Sequence, residues 1–170
     1  MKIAVYPLVL ALLTLAACGG SQSNGSGSAN PTAATTEVAA LNGKWTLTSV
    51  TCNGDPSTVW QQQQSKNGMQ AQMQIQDGTM NSNIVDNSGC QLQSSQTFKS
   101  LGSTNFTVTT VNSSASSQCT NPPTSDTKSF QLSISVTGNT LSISDPSTPS
   151  LCTAANQTGP EVSSFSRNTQ

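Results

Sequence analysis

Apolar side chains recur at every second position along much of the chain, and this alternation restricts the fold more than any other feature. In one segment Met69, Ala71, Met73 and Ile75 fall on one side, while glutamines fall on the other. Side chains of a strand alternate between the two faces of a sheet, whereas those of a helix repeat about every 3.6 residues. The sequence therefore predicts strands with one buried and one solvent-exposed face, and it gives little support for helices.

Eight segments show this alternation, and three pairs of them are joined by short turns that contain glycine. The predicted strands are residues 44–50, 69–75, 80–85, 91–99, 105–111, 129–136, 141–144 and 161–167. The turns lie at residues 77–78, 101–103 and 137–139. Sequential strands joined by hairpins form a meander, which protects its edges most simply by closing on itself. We therefore predict an all-β fold, an eight-stranded antiparallel up-and-down barrel, with a β-sandwich as the alternative that the same periodicity allows.

A long interval, residues 51–68, separates the first two predicted strands. It contains Trp60 followed by four glutamines. Loops at the mouth of a barrel commonly carry recognition residues, so Trp60 is a candidate for the lip of a ligand site. The alternative is a short helix whose Trp60 packs across the end of the barrel.

The start of the chain has the features of an export signal. Lys2 precedes an apolar run from Ile3 to about Leu15, which is too short for a permanent transmembrane helix. The run ends in Leu-Ala-Ala-Cys at residues 15–18, which resembles the lipobox of bacterial lipoproteins. That resemblance implies that residues 1–17 are removed as a signal peptide and that Cys18 becomes the lipidated first residue. A secreted protein with an ordinary cleavage site is the alternative.

The residues after Cys18 predict where the domain is held. Gly19 stands where the best-studied lipoproteins carry Asp for inner-membrane retention, so the resemblance implies a lipid anchor in the bacterial outer membrane. The domain would then be periplasmic or surface-exposed. Residues 18–40 are rich in Gly, Ser, Asn and Thr and cannot bury enough apolar surface to fold alone. We expect them to form a disordered tether whose root-mean-square span is roughly 26 Å. For its last residues, near 37–40, docking on the domain is an equal alternative.

The first predicted strand carries a more specific signal. Leu41, Gly43 and Trp45 resemble the Leu-x-Gly-x-Trp start of lipocalins and bacterial lipocalin-like domains, and Arg167 lies in the last strand. In that family a basic side chain from the closing strand lies against the first Trp. The resemblance covers about residues 41–167 of the predicted domain, which is residues 41–170, and implies a structural lock of Gly43, Trp45 and Arg167. The chain lacks the family's Thr-Asp-Tyr segment and has few aromatic residues.

Four cysteines lie in the predicted domain, and an even number in an oxidising compartment predicts two disulfides. Cys90 precedes one strand of a predicted hairpin and Cys119 follows its partner. Cys52 ends the first strand, and Cys152 precedes the last strand, which neighbours the first in a closed barrel. Three pairings are open to four cysteines, and the strand order favours Cys90–Cys119 with Cys52–Cys152. A metal site is not predicted, because the spacing is wide and the chain has no histidine.

The lack of histidine also excludes Ser-His-Asp and Cys-His catalysis. Acid–base chemistry would fall to the carboxylates of the domain, which are Asp55, Asp77, Asp86, Asp126, Asp145 and Glu161. All of them except Glu161 lie in turn sequences, where Asp makes local hydrogen bonds. We therefore predict no catalytic residues, no cofactor and no enzymatic activity, with a paired-carboxylate glycosidase as the remaining enzymatic alternative.

Two classes of function follow. One is a lipocalin-like module that holds a small apolar or amphiphilic molecule inside its barrel. The other is a structural or interaction lipoprotein with a filled barrel, which contacts protein or glycan through its loops. Nucleic acid is not an expected partner, because the formal net charge is -1 and no basic patch is present in the sequence. We expect a membrane-anchored monomer in either case.

Overall fold

The computed structural model describes residues 38–102, 104–119, 127–145, 151–152, 156–157 and 159–168. The predicted signal peptide, Cys18 and the tether up to residue 37 lie outside the described residues. The strands are β1 (Gly43–Cys52), β2 (Asp55–Pro56), β3 (Gln70–Gln76), β4 (Thr79–Val85), β5 (Gln91–Gly102), β6 (Asn105–Ala115), β7 (Ser129–Thr137), β8 (Thr140–Asp145) and β9 (Glu161–Arg167), and the helix α1 is Thr58–Asn67. A membrane-crossing helix, long and apolar enough to span a bilayer, is not found in the described part of the chain.

Eight of these strands form one closed antiparallel sheet. Their order is β1-β3-β4-β5-β6-β7-β8-β9, and β1 pairs with β9 from Trp45↔Arg167 to Cys52↔Glu161. The two-residue strand β2 pairs only with the end of β1. The predicted eight-stranded up-and-down barrel is confirmed. The sandwich alternative is wrong, because the first and last strands are hydrogen-bonded neighbours and leave no open edge between them.

The two ends of the barrel differ in the length of their connections. At one end, here called the tether end because residues 38–42 enter there, the β3–β4, β5–β6 and β7–β8 hairpins make their short turns. Asp77 and Gly78 have φ angles of 49° and 82°, the left-handed conformation that a two-residue hairpin requires. At the other end, here called the helix end, the connections are residues 53–69, 86–90, 116–128 and 146–160.

Two clusters of buried apolar side chains fill the barrel. The tether-end cluster contains Trp45, Ile75, Met80, Phe106 and Leu141, among others, and each of these is at most 1 % exposed. The helix-end cluster comprises Leu47, Val50, Trp60, Met69, Ala71, Ile84, Cys90, Leu92 and Leu151. The strand residues of both clusters occupy the inward positions of the alternating pattern, whereas Trp60 and Leu151 reach the helix-end cluster from outside the strands.

Residues 51–68 do not form the open loop in which Trp60 would be an exposed ligand lip. They continue β1, form β2 and then form α1, where the Ser57 hydroxyl accepts a hydrogen bond from the Trp60 N–H and Gly68 ends the helix with φ 60°. Trp60 is only 2 % exposed and packs in the helix-end cluster. The lip assignment is therefore wrong, and the alternative of a short helix across the barrel end is confirmed.

Both predicted disulfides are present. Cys52 bonds Cys152 and Cys90 bonds Cys119, with Cα–Cα distances of 5.5 and 4.6 Å. Both lie at the helix end: one joins the end of β1 to the connection between β8 and β9, and the other joins the connection before β5 to the segment after β6. The tether end is held together by tight hairpins instead.

Candidate binding surface

The interior of the barrel leaves little space for a ligand. A cavity between the two clusters measures about 50 Å³, and its lining is mostly apolar, including Leu47, Met73, Met80, Ile84 and Phe165. Pockets that enclose a drug-sized ligand measure about 300–1,000 Å³. A single water molecule needs about 10–15 Å³, so this cavity has room for a few waters. The Ser163 hydroxyl, which also lines the cavity, is buried and unpartnered among the described residues.

A buried pair of carboxylates lies at the helix end of the barrel. Asp145 and Glu161 stand opposite each other on β8 and β9 and are 9 % and 2 % exposed. Glu161 accepts a hydrogen bond of 2.9 Å from the Leu151 N–H. Burial raises the pKa of Glu161 from 4.5 to about 7, the Leu151 and Cys152 N–H groups oppose this rise, and the negative charge of Asp145 adds to it. The pair lies inside the protein and not in an open cleft.

Asp145 does not lie in the turn that the sequence predicts before Pro146. It ends β8 with its side chain inward. Leu141, Ile143 and Asp145 stand at alternate positions, and this spacing already indicates that Asp145 points inward.

At the tether end, the predicted contact between Trp45 and Arg167 is present. The guanidinium carbon of Arg167 lies 4.3 Å from the centroid of the Trp45 ring. The same guanidinium donates hydrogen bonds to the carbonyls of Asn42 and Ala40, at 2.8 and 3.3 Å. The Trp45 indole N–H donates to the Leu41 carbonyl at 2.9 Å.

The backbone conformation and surroundings of residue 43 explain why a glycine lies two positions before Trp45. Its φ is 150°, which L side chains rarely adopt, and an added Cβ would lie 3.1 Å from Nη1 of Arg167. A larger residue would therefore press on the arginine that covers Trp45. The last residues of the predicted tether dock beside this contact, because residues 38–41 form a helical turn and Val38 packs against the tether-end cluster.

A concave surface lies on the outside of the barrel wall. The strand register places two rows of polar side chains side by side across β1, β3, β4, β5 and β6. The first row is Lys44, Gln74, Asn81, Ser95 and Asn112, and the second is Gln72, Asn83, Gln93 and Ser114. We call these the amide rows, because six of the nine members carry a side-chain amide.

The amide rows enclose a groove of about 530 Å³. Ser95 and Asn83 are half-buried and form its floor, whereas longer side chains such as Gln72, Gln74 and Gln93 are exposed beside it. Asn83 is held in place by a hydrogen bond of 2.8 Å from the Gln91 side-chain amide. In the described part of the chain, the amides of the other five Asn and Gln residues of the rows make no side-chain hydrogen bond and are free to bind a ligand.

The groove is close to electrically neutral. Of the described residues that line it, only Lys44 is charged. Trp45 and Met73 also contribute to its lining, but both side chains are buried in the tether-end cluster, so the accessible chemistry is that of amides and hydroxyls.

The opposite wall of the barrel has a different composition. On β7, β8 and β9 the corresponding outward rows are short hydroxyl side chains, as in Ser135, Ser142 and Ser164. Gln131 is the one exposed amide on the outward positions of these three strands within the described residues. Polar residues are therefore not spread at random over the barrel, because long amide side chains gather on one wall and short hydroxyls on the other.

Comparison with protein-family models, curated proteins and solved structures finds no match for this chain. The resemblances of the leader to lipoproteins and of the first strand to lipocalins therefore stay predictions.

Proposed function

We propose that this protein is a non-enzymatic lipoprotein of the bacterial cell envelope that holds its partner on the outer wall of a filled barrel. The observation that carries this proposal is a contrast of volumes: the interior cavity measures about 50 Å³, while the groove over the amide rows measures about 530 Å³. Without rearrangement of the core, a drug-sized or larger partner has room at the outer groove and not in the interior cavity. The barrel is then a rigid support, as expected when its interior is packed with its own side chains.

The position of the tether supports this proposal. The chain enters the barrel at the tether end, and Arg167 binds the carbonyls of Ala40 and Asn42 there. A lipid anchor at Cys18 would therefore be joined to the barrel at the tether end, through the predicted tether with its span of roughly 26 Å. The groove lies on the side wall, and neither residues 38–42 nor α1 contributes to its lining.

The non-enzymatic part of the proposal rests on where the carboxylates lie. The pair formed by Asp145 and Glu161 is buried in the barrel, and a cavity of about 50 Å³ gives a sugar substrate no access to it. Asp86 accepts hydrogen bonds from the N–H groups of Ser88 and Cys90, which is a turn-stabilising role.

A small apolar ligand inside the barrel is the second candidate function. It is favoured by the apolar lining of the cavity and by Met73 and Met80, whose unbranched side chains adapt to other packings. Such a ligand would have to displace these side chains, whereas the groove requires no rearrangement.

Site-specific photo-crosslinking in cells tests the proposal directly. A benzophenone amino acid replaces Ser95 on the floor of the groove in one variant and Ser142 on the opposite wall in the matched control. We expect adducts of higher mass from position 95 and none from position 142. Equal adduct formation at the two positions, or none at position 95, contradicts a partner on the amide rows.

A further inference from the structure

We infer that the amide rows form a binding site for a neutral, hydroxyl-rich glycan chain. This inference rests on the proposed function and names the class of partner that the groove accepts. Strand pairing sets the register of the two rows, so their side chains do not depend on the packing of flexible loops.

The chemistry of the rows matches sugar hydroxyls. Each side-chain amide offers two N–H donors and a carbonyl acceptor, and each hydroxyl of a sugar is both donor and acceptor. Asn81 and Gln74 stand opposite each other, as do Asn83 and Gln72, so neighbouring amides can bind adjacent hydroxyl groups. The half-buried Ser95 adds a hydroxyl at the floor.

The charge and polarity of the groove argue against the other classes of partner. An anionic polymer such as a nucleic acid needs several cations, but Lys44 is the only charged group among the described lining residues. Protein interfaces are enriched in aromatic side chains, Met and Arg at their centre. The aromatic and methionine residues of this lining, Trp45 and Met73, are buried beneath it.

The dimensions of the rows suit an extended chain. The first row crosses five neighbouring strands, β1 and β3 to β6, and the second crosses four of them. Neighbouring strands lie about 4.8 Å apart, so the first row has a length of roughly 19 Å. That is the length of a short oligosaccharide. On each of β3 to β6 the members of the two rows are two residues apart and so lie on the same face of the sheet. Side chains of both rows can therefore contact the two edges of one sugar ring.

The inference is tested on the full mature protein in detergent micelles. The probes are cellohexaose and maltohexaose, two neutral glucans of different linkage, and saturation-transfer difference NMR measures binding through the sugar protons. We expect at least one probe to give a transfer signal. The double variant Gln74→Ala/Asn81→Ala should weaken binding at least tenfold, because it removes two facing amides of the first row.

Matched controls separate a lost site from a damaged fold. Gln131→Ala removes an exposed glutamine from the opposite wall and should leave binding unchanged, and both variants should keep the melting temperature of the unaltered protein. A double variant that binds as tightly as the unaltered protein overturns the inference, and so does the lack of a signal from both probes. If no probe binds but position 95 still crosslinks to a polypeptide in cells, the glycan assignment is wrong and the proposed outer-wall function stands.

Discussion

Arg167 lies over Trp45, with 4.3 Å between the guanidinium carbon and the ring centroid, and so joins the last strand of the barrel to the first. The two residues are also register partners in the β1–β9 pairing. The same arginine binds the carbonyls of Ala40 and Asn42, which fixes the point where the tether meets the barrel. The Arg167 side chain thus contacts the first strand, which its own strand pairs with, and also binds the N-terminal segment.

The contact between these two residues predicts coupled effects on stability. Arg167→Ala should lower the free energy of unfolding by about 1–2 kcal/mol, because a cation–π contact and two hydrogen bonds are lost. Trp45→Ala should cost about 3–5 kcal/mol as the loss of a buried aromatic side chain. Urea unfolding of the single and double variants should show that the double variant costs less than the sum. Arg167→Lys should fall between Arg167→Ala and the unaltered protein, since lysine keeps the charge but not the planar stacking. Strict additivity would contradict a shared contact.

The two disulfides should contribute unequally to stability. Cys52–Cys152 closes a separation of 100 residues and Cys90–Cys119 one of 29. In the chain-entropy model the longer loop contributes about 4–5 kcal/mol and the shorter about 3–4 kcal/mol. Replacing Cys52 and Cys152 by serine should therefore lower the urea midpoint more than replacing Cys90 and Cys119. The opposite order would show that native-state effects outweigh loop closure.

The buried Glu161 should make stability depend on pH. Its pKa is raised from 4.5 to about 7 in the folded protein, so the unfolded chain releases this proton at lower pH than the folded one. The stabilisation is present in full below about pH 4.5 and is lost as the pH rises through 7, a contribution of roughly 3 kcal/mol. Urea unfolding at pH 4.5 and pH 8 measures it. Glu161→Gln keeps an acceptor for the Leu151 N–H and should remove most of this decline. A variant that declines as steeply as the unaltered protein would assign the effect to other groups.

The lipid anchor is tested by one substitution outside the domain. Cys18→Ser should abolish acylation and block processing at this site, because the thiol is the group that is modified in the lipoproteins this leader resembles. Radiolabelled palmitate incorporation and detergent phase partition measure both steps. Labelling and membrane partition equal to those of the unaltered protein would contradict the lipoprotein proposal.

The strands were predictable from the sequence because one physical rule, period-two burial, applies along the whole barrel. The pairing of Gln74 with Asn81 follows from the two-residue hairpin at Asp77 and Gly78. The same hairpin also sets Gln72 opposite Asn83. The members of the amide rows on β5 and β6 do not follow from the sequence, because the register beyond β4 depends on the turn at residues 86–90 and on a bulge between Ser95 and Gln96.

Helix α1 was also only partly predictable. Its caps, Ser57 and Gly68, are ordinary start and stop signals, but its side chains show no amphipathic period, and Trp60 is its only buried residue. The burial of Trp60 is decided by contacts with residues of the helix-end cluster that lie far from it in the sequence, such as Leu92 and Leu151. Local propensity does not report such contacts.

Native mass spectrometry of the mature protein extracted from its own envelope shows whether the barrel is a filled support. We expect the mass of the polypeptide with its two disulfides and its covalent acyl groups, with no apolar small molecule retained when the detergent is removed. A bound apolar molecule, present at one per chain and released only on unfolding, would contradict the filled barrel and make the interior the binding site.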